Sequence, residues 1–313
     1  MSAHGSSACV PDWRTIESVR ALKGDRVFQL LLRGGVRYVL KRSGTSSGME
    51  AAAAAVGTIR SLGINAIPAL PVPRRARSCA FAALGVVVAP HVLDSIGSDD
   101  ELLFLPFVDA LPLQDAVETY LRASRWRRRA LHVAIGRLWA FDVFIDNSDR
   151  LLKGVNLDNI LVDQALHLHA IDQTLGGDVI AALSGVSDRL RRRLDRMIAV
   201  EGRTSISIDL ADQLKRAGFP LGNEDAFCRD VAVGLINGVR AIATLAADEV
   251  RELVDEYSPG LGSAFPILIR EFRQAVQRSE SGVPNGVRTR VAAVKGRCPR
   301  PLDDGDVLGG QLW

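Results

Sequence analysis

The chain has little of what usually reveals a function at first reading. Its 313 residues include only four cysteines, Cys9, Cys79, Cys228 and Cys298. These lie far apart, without C-x-x-C or Cys/His ligand spacing, which argues against a disulfide framework or a structural zinc site. Aromatic residues are only 5% of the sequence and the net charge is +3, so no broad basic surface requires nucleic acid. The densest cluster, Arg125-Trp126-Arg127-Arg128-Arg129, reads as a solvated helix start. No apolar run approaches the ~18 residues that span a bilayer, and MSAHGSSACVPDW lacks the basic-then-apolar layout of a secretory signal. The expectation is a cytoplasmic protein of a reducing compartment, with no membrane span and no nucleic-acid partner. The alternative is delivery into a host cell as a bacterial effector, with the Ser-rich start serving as export signal.

With 47% hydrophobic and 24% charged residues, the chain can bury a sizeable core as one large domain or two lobes. After a flexible start (1–12), the segments WRTIESVRAL, RVFQLLLR and VRYVLKR read as three strands of a β-meander, turning at Lys23-Gly24-Asp25 and Arg33-Gly34-Gly35. An Ala-rich helix, MEAAAAAVGTIRSLGI, follows and closes at Gly63. Beyond Pro68, Pro71 and Pro73 come an apolar strand, FAALGVVVA, and the run ELLFLPFV, broken at Pro106. From Leu113 helical spacing takes over in DAVETYLRAS and RRALHVAIGRLWAFDVFIDN. A hairpin is expected over ILVDQALHLHAID, then helices over 179–200, 209–217, 223–257 and 264–278. These features predict an α+β chain with a small β-rich N-lobe over 13–110 and a larger helical C-lobe over 111–280. From 281 to 313 Gly, Pro and Arg replace large apolar residues, so a disordered tail is expected.

Chemistry concentrates in LWAFDVFIDNSDRLLKGVNLDNILVDQALHLHAIDQTLGG, where carboxylates and carboxamides cluster at the ends of apolar segments. Moving a phosphoryl group needs a cation on the phosphates, oxygen ligands for a divalent metal and a base at the acceptor hydroxyl. Lys41, at the end of a strand, can supply the cation. Glu50, the only carboxylate of the Ala-rich helix, can reach Lys41, or can serve as an N-terminal carboxylate favoured by the helix dipole. Asp142, Asp146 and Asp149 compete for the role of base; Asp149 is preferred, Asp142 is embedded in the apolar helix, and Asp146 can cap or position the loop. Asn159 and Asp172, at opposite ends of the hairpin, form a magnesium-type pair, with Asn156 and Asp158 as alternatives. His167 and His169 alternate on one strand face and lack a third ligand.

The ordered set Lys41, Glu50, Asp149, Asn159 and Asp172, carried by YVLKRSG, MEAAAAAVGTIRSLGINAIPALPV and GRLWAFDVFIDNSDRLLKGVNLDNILV with LHAIDQ, resembles the protein-kinase-like superfamily. The likeness is nearest to the actin-fragmin kinase catalytic domain and related bacterial sequences, and covers about residues 20 to 180. It implies a two-lobed kinase-like fold and an ATP- and Mg2+-dependent kinase acting on a hydroxyl, Ser or Thr of a protein substrate of unstated identity, with the oligomeric state left open. By that resemblance Lys41 binds phosphates, Glu50 pairs with it and Asp149 is the base. Asn159 and Asp172 hold magnesium, Gly24 belongs to the nucleotide-covering loop, and Phe104 to Asp109, including Phe107, form the hinge against adenine. The sequence departs from the wider pattern in four places. No His accompanies Asp149, ten positions rather than the more usual five separate it from Asn159, Gln173 stands where a Phe follows the metal-binding Asp, and ALKGDRVF retains only Gly24 of G-x-G-x-x-G. The alternatives are a pseudokinase acting as an interaction module, or a kinase-fold transferase of nucleotidyl groups or with a lipid or small-molecule acceptor.

Overall fold

The computed structural model describes residues 12–23, 26–43, 46–73, 82, 85 and 101–281. The expected strand FAALGVVVA (all but Ala82 and Gly85) and candidate Gly24 lie outside these residues, as do the expected flexible start (all but Asp12) and the tail beyond Ser281. The structure is α+β, with a small antiparallel sheet towards the N-terminus and a larger helical part. Strands β1 (Ile16–Lys23), β2 (Val27–Leu32) and β3 (Arg37–Arg42) form the meander. The β2–β3 turn places Gly34 at φ 86° and Gly35 at φ 80°, a left-handed pair that matches strand twist and that side chains with a Cβ rarely adopt. Helix α1 (Ser47–Gly57) follows, then the short strand β4 (Leu70–Pro71) and β5 (Leu102–Pro106), giving the order β1-β2-β3-β5-β4.

Strand parity divides the sheet into two faces. Phe28, Leu30, Leu40, Leu102 and Phe104 pack with Val72 on one face. Leu103, Leu105 and Val39 lie on the other, against Ala51 and Ala54 of α1. Alanine suits that contact because each of Ala51 to Ala54 is fully buried, and a small side chain lets the helix lie close to the strands. The helix ends at Gly57, earlier than its sequence predicts. A separate 3-10 turn, Arg60–Leu62, carries the chain to the left-handed Gly63.

A second sheet is built from β6 (Leu111–Pro112), β7 (Ile160–Val162) and β8 (Leu168–Ala170). The last two form the expected hairpin, with Ile160 opposite Ala170. The amides of Ile67 and Ala170 donate to Ala170 O and Asn65 O at 3.0 and 2.8 Å, tying the segment after α1 to this hairpin.

The helical part beyond residue 116 contains, among the described residues, α2 (Val117–Arg122), α3 (Arg125–Ile145), α4 (Gly177–Ala181), α5 (Asp188–Ile198), α6 (Val200–Arg216), α7 (Glu224–Ala243), α8 (Ala247–Tyr257) and α9 (Ala264–Glu280). Two expected helices are each broken in two. Gly185 at φ 146° and the Ser187 cap separate α4 from α5, and an 88° bend at 244–246 separates α7 from α8. The helix expected from residue 209 begins at Val200 instead. Among the described residues no single helix is long and apolar enough to cross a membrane.

Helices α3 and α7 touch backbone to backbone. A Cβ on Gly234 would sit 2.2 Å from Val133 O and 2.9 Å from Gly136 Cα, so the crossing depends on glycine on both sides. Gly234→Ala is expected to destabilise the fold by about 1–3 kcal/mol through overpacking. Urea unfolding would check this, and an unchanged midpoint would show that the helices can separate freely.

Candidate active site

Lys41 is on the helix-facing side of β3 because it has the parity of Val39, and this aims its side chain at the first turn of α1. Its Nζ donates to Glu50 Oε2 and Asp172 Oδ1, both at 2.8 Å. Glu50 also accepts the Ser43 hydroxyl at 2.6 Å. The ammonium is largely buried, and burial alone would lower its pKa, but Asp172 and Glu50 together lift it above the ordinary lysine value. It therefore stays charged throughout the neutral range. A narrow void, too tight to admit a water molecule, adjoins this triad, walled by Ala69, Leu103, Leu105 and Gln173.

The chain leaves α3 through Asp146, which is left-handed at φ 51°, a conformation that Asp tolerates better than most residues. Asp146 is buried and fully engaged. It accepts from Arg189 Nη2 at 2.8 Å, Arg193 Nη1 at 2.9 Å and the Asp178 amide at 3.0 Å. Asp142 and Arg150 are both 0% exposed and form a multiply bonded pair, with Arg150 Nε 3.2 Å from each carboxylate oxygen and Nη2 donating to Oδ1. Burial pushes the Asp142 carboxyl up to about 6, while Arg150 holds it down. Of the three competing carboxylates, only Asp149 is exposed, and its side chain has no partner among the described residues. Its amide donates to Asn147 Oδ1 at 3.2 Å.

Two side chains from this loop grip the segment that carries Asp172. Arg150 Nη1 donates to Ile171 O at 2.9 Å, and Asn147 Nδ2 to Asp172 O at 3.3 Å. Asp172 is itself left-handed at φ 56°, so neighbouring contacts must hold an otherwise sparsely populated conformation. Sequence reasoning gave Asn147 and Arg150 no role. The available signal was a buried-type position for Arg150, four residues beyond the left-handed exit of an apolar helix.

Asn159 and Asp172 lie at the open end of the β7–β8 hairpin, where the Ile171 amide donates to Asn159 O at 3.2 Å. The Asn159 carboxamide is buried and has no side-chain partner among the described residues. Asp172 retains Oδ2 beside the oxygen that Lys41 occupies. A carboxylate and a carboxamide suit a hard cation such as magnesium, which takes one or two protein oxygens and completes its shell from water and phosphate. Of the alternatives, Asp158 is engaged by Lys23 at 2.9 Å and Gln114 at 2.7 Å. Among the described residues no three His, Cys, Asp or Glu side chains form a metal-holding group. His167 and His169 instead reach Asp163 at 3.0 and 3.3 Å, bracing the hairpin turn.

The hinge residues need correction. Phe104 faces away from Lys41, packed edge-on to Tyr38, so Leu103 and Leu105 provide the apolar wall on the Lys41 side. Phe107 lies beneath the Arg37 guanidinium, 4.3 Å from its ring centre, and Asp109 is exposed; neither lines the void beside the triad. Comparison of the chain with protein-family models and with curated proteins found no match to either.

Proposed function

We propose that the chain is an ATP- and magnesium-dependent phosphotransferase with a two-lobed protein-kinase-like plan, acting on a hydroxyl, Ser or Thr of a protein. The observation that carries this reading is Lys41 held between Glu50 and Asp172 at 2.8 Å each, with the Asn159 carboxamide at the neighbouring hairpin end. In this reading Lys41 neutralises phosphate oxygens and Glu50 fixes the direction of its side chain. Asp149, the one carboxylate of the α3 exit loop left exposed and unpartnered, orients the acceptor hydroxyl and takes its proton. Asn159 and Asp172 would hold magnesium, whose contribution is to neutralise charge on the phosphates. Asp142 and Asp146 support the loop rather than react, because arginines occupy both.

The test is autophosphorylation of the full chain with γ-labelled ATP and magnesium, beside Asp149→Ala. Label on the wild type that falls at least about 100-fold in the variant is the expected result; equal labelling would remove Asp149 from the mechanism. A second reading, a nucleotide-poor interaction module, is favoured by the narrowness of the void beside Lys41 and by the double engagement of its ammonium. A ligand that binds only the native state raises its stability, so an ATP titration of thermal unfolding with and without magnesium separates the two. A magnesium-dependent rise supports the enzyme, and no rise supports the module.

A further inference from the structure

The face of α6 turned away from the core carries two adjoining depressions of about 470 and 460 Å³ that share Asp209. The first is bordered by Lys153 and Gly154 and by Gln213 and Arg216 of α6. Lys153 follows the candidate base Asp149 by four residues in the chain. Lys153 and Arg216 are exposed and make no ion pair with a described residue. Gln213 Oε1 is sealed from solvent and accepts no hydrogen bond among the described residues. The second depression exposes mainly apolar surface along the helical line Val200, Thr204 and Ile208, with Glu201 and Ser205 also on its wall. Val200 is 65% and Ile208 44% exposed, although the opposite face of the same helix buries Ile206, Leu210 and Leu214.

We propose that this furrow seats an extended polypeptide segment of the phosphoryl acceptor, with an acidic side chain at Lys153 and Arg216 and an apolar side chain at Ile208. The inference rests on the phosphotransferase reading and adds the acceptor's character to it. Ile208 and Arg216 are about 12 Å apart along the helix axis, which an extended chain covers in about four residues. Asp209 does not reverse the sign of the cationic end, because Arg196 lies 3.6 Å from its carboxylate.

The test measures binding of the labelled full chain to immobilised Ser-containing peptides. One set carries an acidic and an apolar residue four apart, a second replaces the acid by lysine, and a third replaces the apolar residue by glycine. The wild type is expected to bind the first set about tenfold more tightly than either other, and Lys153→Ala/Arg216→Ala to erase the acidic preference. Ile208→Glu, a change at an exposed position, should erase the apolar preference alone. Equal binding of all sets, or an acidic preference surviving in the double variant, would overturn the proposal. Binding with the expected preference but no transfer of label from γ-labelled ATP would uphold the furrow and refute the phosphotransferase. Labelling of peptides irrespective of the acid would do the reverse.

Discussion

Lys41→Met is expected to reduce phosphoryl transfer by roughly 10²–10³-fold, the usual cost of removing one preorganised positive donor from a charge-developing centre, while leaving a folded protein. Methionine retains the length and the apolar stem of lysine, so the contact with α1 persists. The ammonium is lost, leaving Glu50 and Asp172 without the cation that both now bind at 2.8 Å. The linkage can be worked out from the direction of the Lys41 shift. A folded-state pKa above the unfolded value contributes stability that is fully present below the unfolded lysine value, near 10.4, and lost only as pH rises through the folded one. Lys41 therefore adds no pH dependence to stability in the neutral range. Single-turnover labelling alongside thermal unfolding measures both effects. Unchanged turnover in a folded Lys41→Met would show that this lysine is structural, and Lys41→Arg should not restore the rate, because a planar fork cannot take the place of a point charge between two carboxylates.

The Lys41–Glu50 contact was legible in the sequence because each residue was alone of its kind in its segment, one at the end of an alternating strand and the other in an alanine helix. The hairpin that brings Asn159 near Asp172 was legible from the apolar runs around Asp163 and Gln164. Phe104 was misplaced for a different reason. In ELLFLPFV every residue from Leu102 to Leu105 is buried, so hydrophobicity does not reveal which parity faces the site, and a one-residue error exchanges the faces. The helix break at 244–246 was equally hidden, since apolar residues continue through it. The arginine partners of Asp146 come from α5, more than forty residues along the chain, and no local pattern foretells such contacts. Its left-handed backbone could be suspected only from the Asp-Asn-Ser-Asp composition of the turn.

Arg150→Met is expected to cost about 3–5 kcal/mol, because it leaves the Asp142 carboxylate buried without its cation, lowering the melting temperature by on the order of 10 °C. Asp142 is fully buried and already raised to about 6. Without Arg150 nothing opposes the burial that raises it, so it moves higher and is protonated at neutral pH. A carboxyl raised in the folded state destabilises that state as pH rises above the unfolded value, near 3.9. Both proteins therefore lose stability in parallel between about pH 4 and pH 6, and the deficit of Arg150→Met should grow only above about pH 6, where the wild-type dependence on this group levels off and that of the variant continues. Asp142→Leu/Arg150→Met removes both charges and should recover most of the lost stability, since replacing a buried pair by apolar groups of similar volume is often close to neutral. It cannot recover the hydrogen bond from Arg150 to Ile171 O, 2.9 Å long in the structure, which helps hold Asp172 left-handed. The double variant should therefore fold with near wild-type stability and still transfer phosphoryl groups poorly. Full recovery of both would show that Asn147 alone suffices to position Asp172; recovery of stability without activity would assign Arg150 two separable roles, neutralising Asp142 and orienting Asp172.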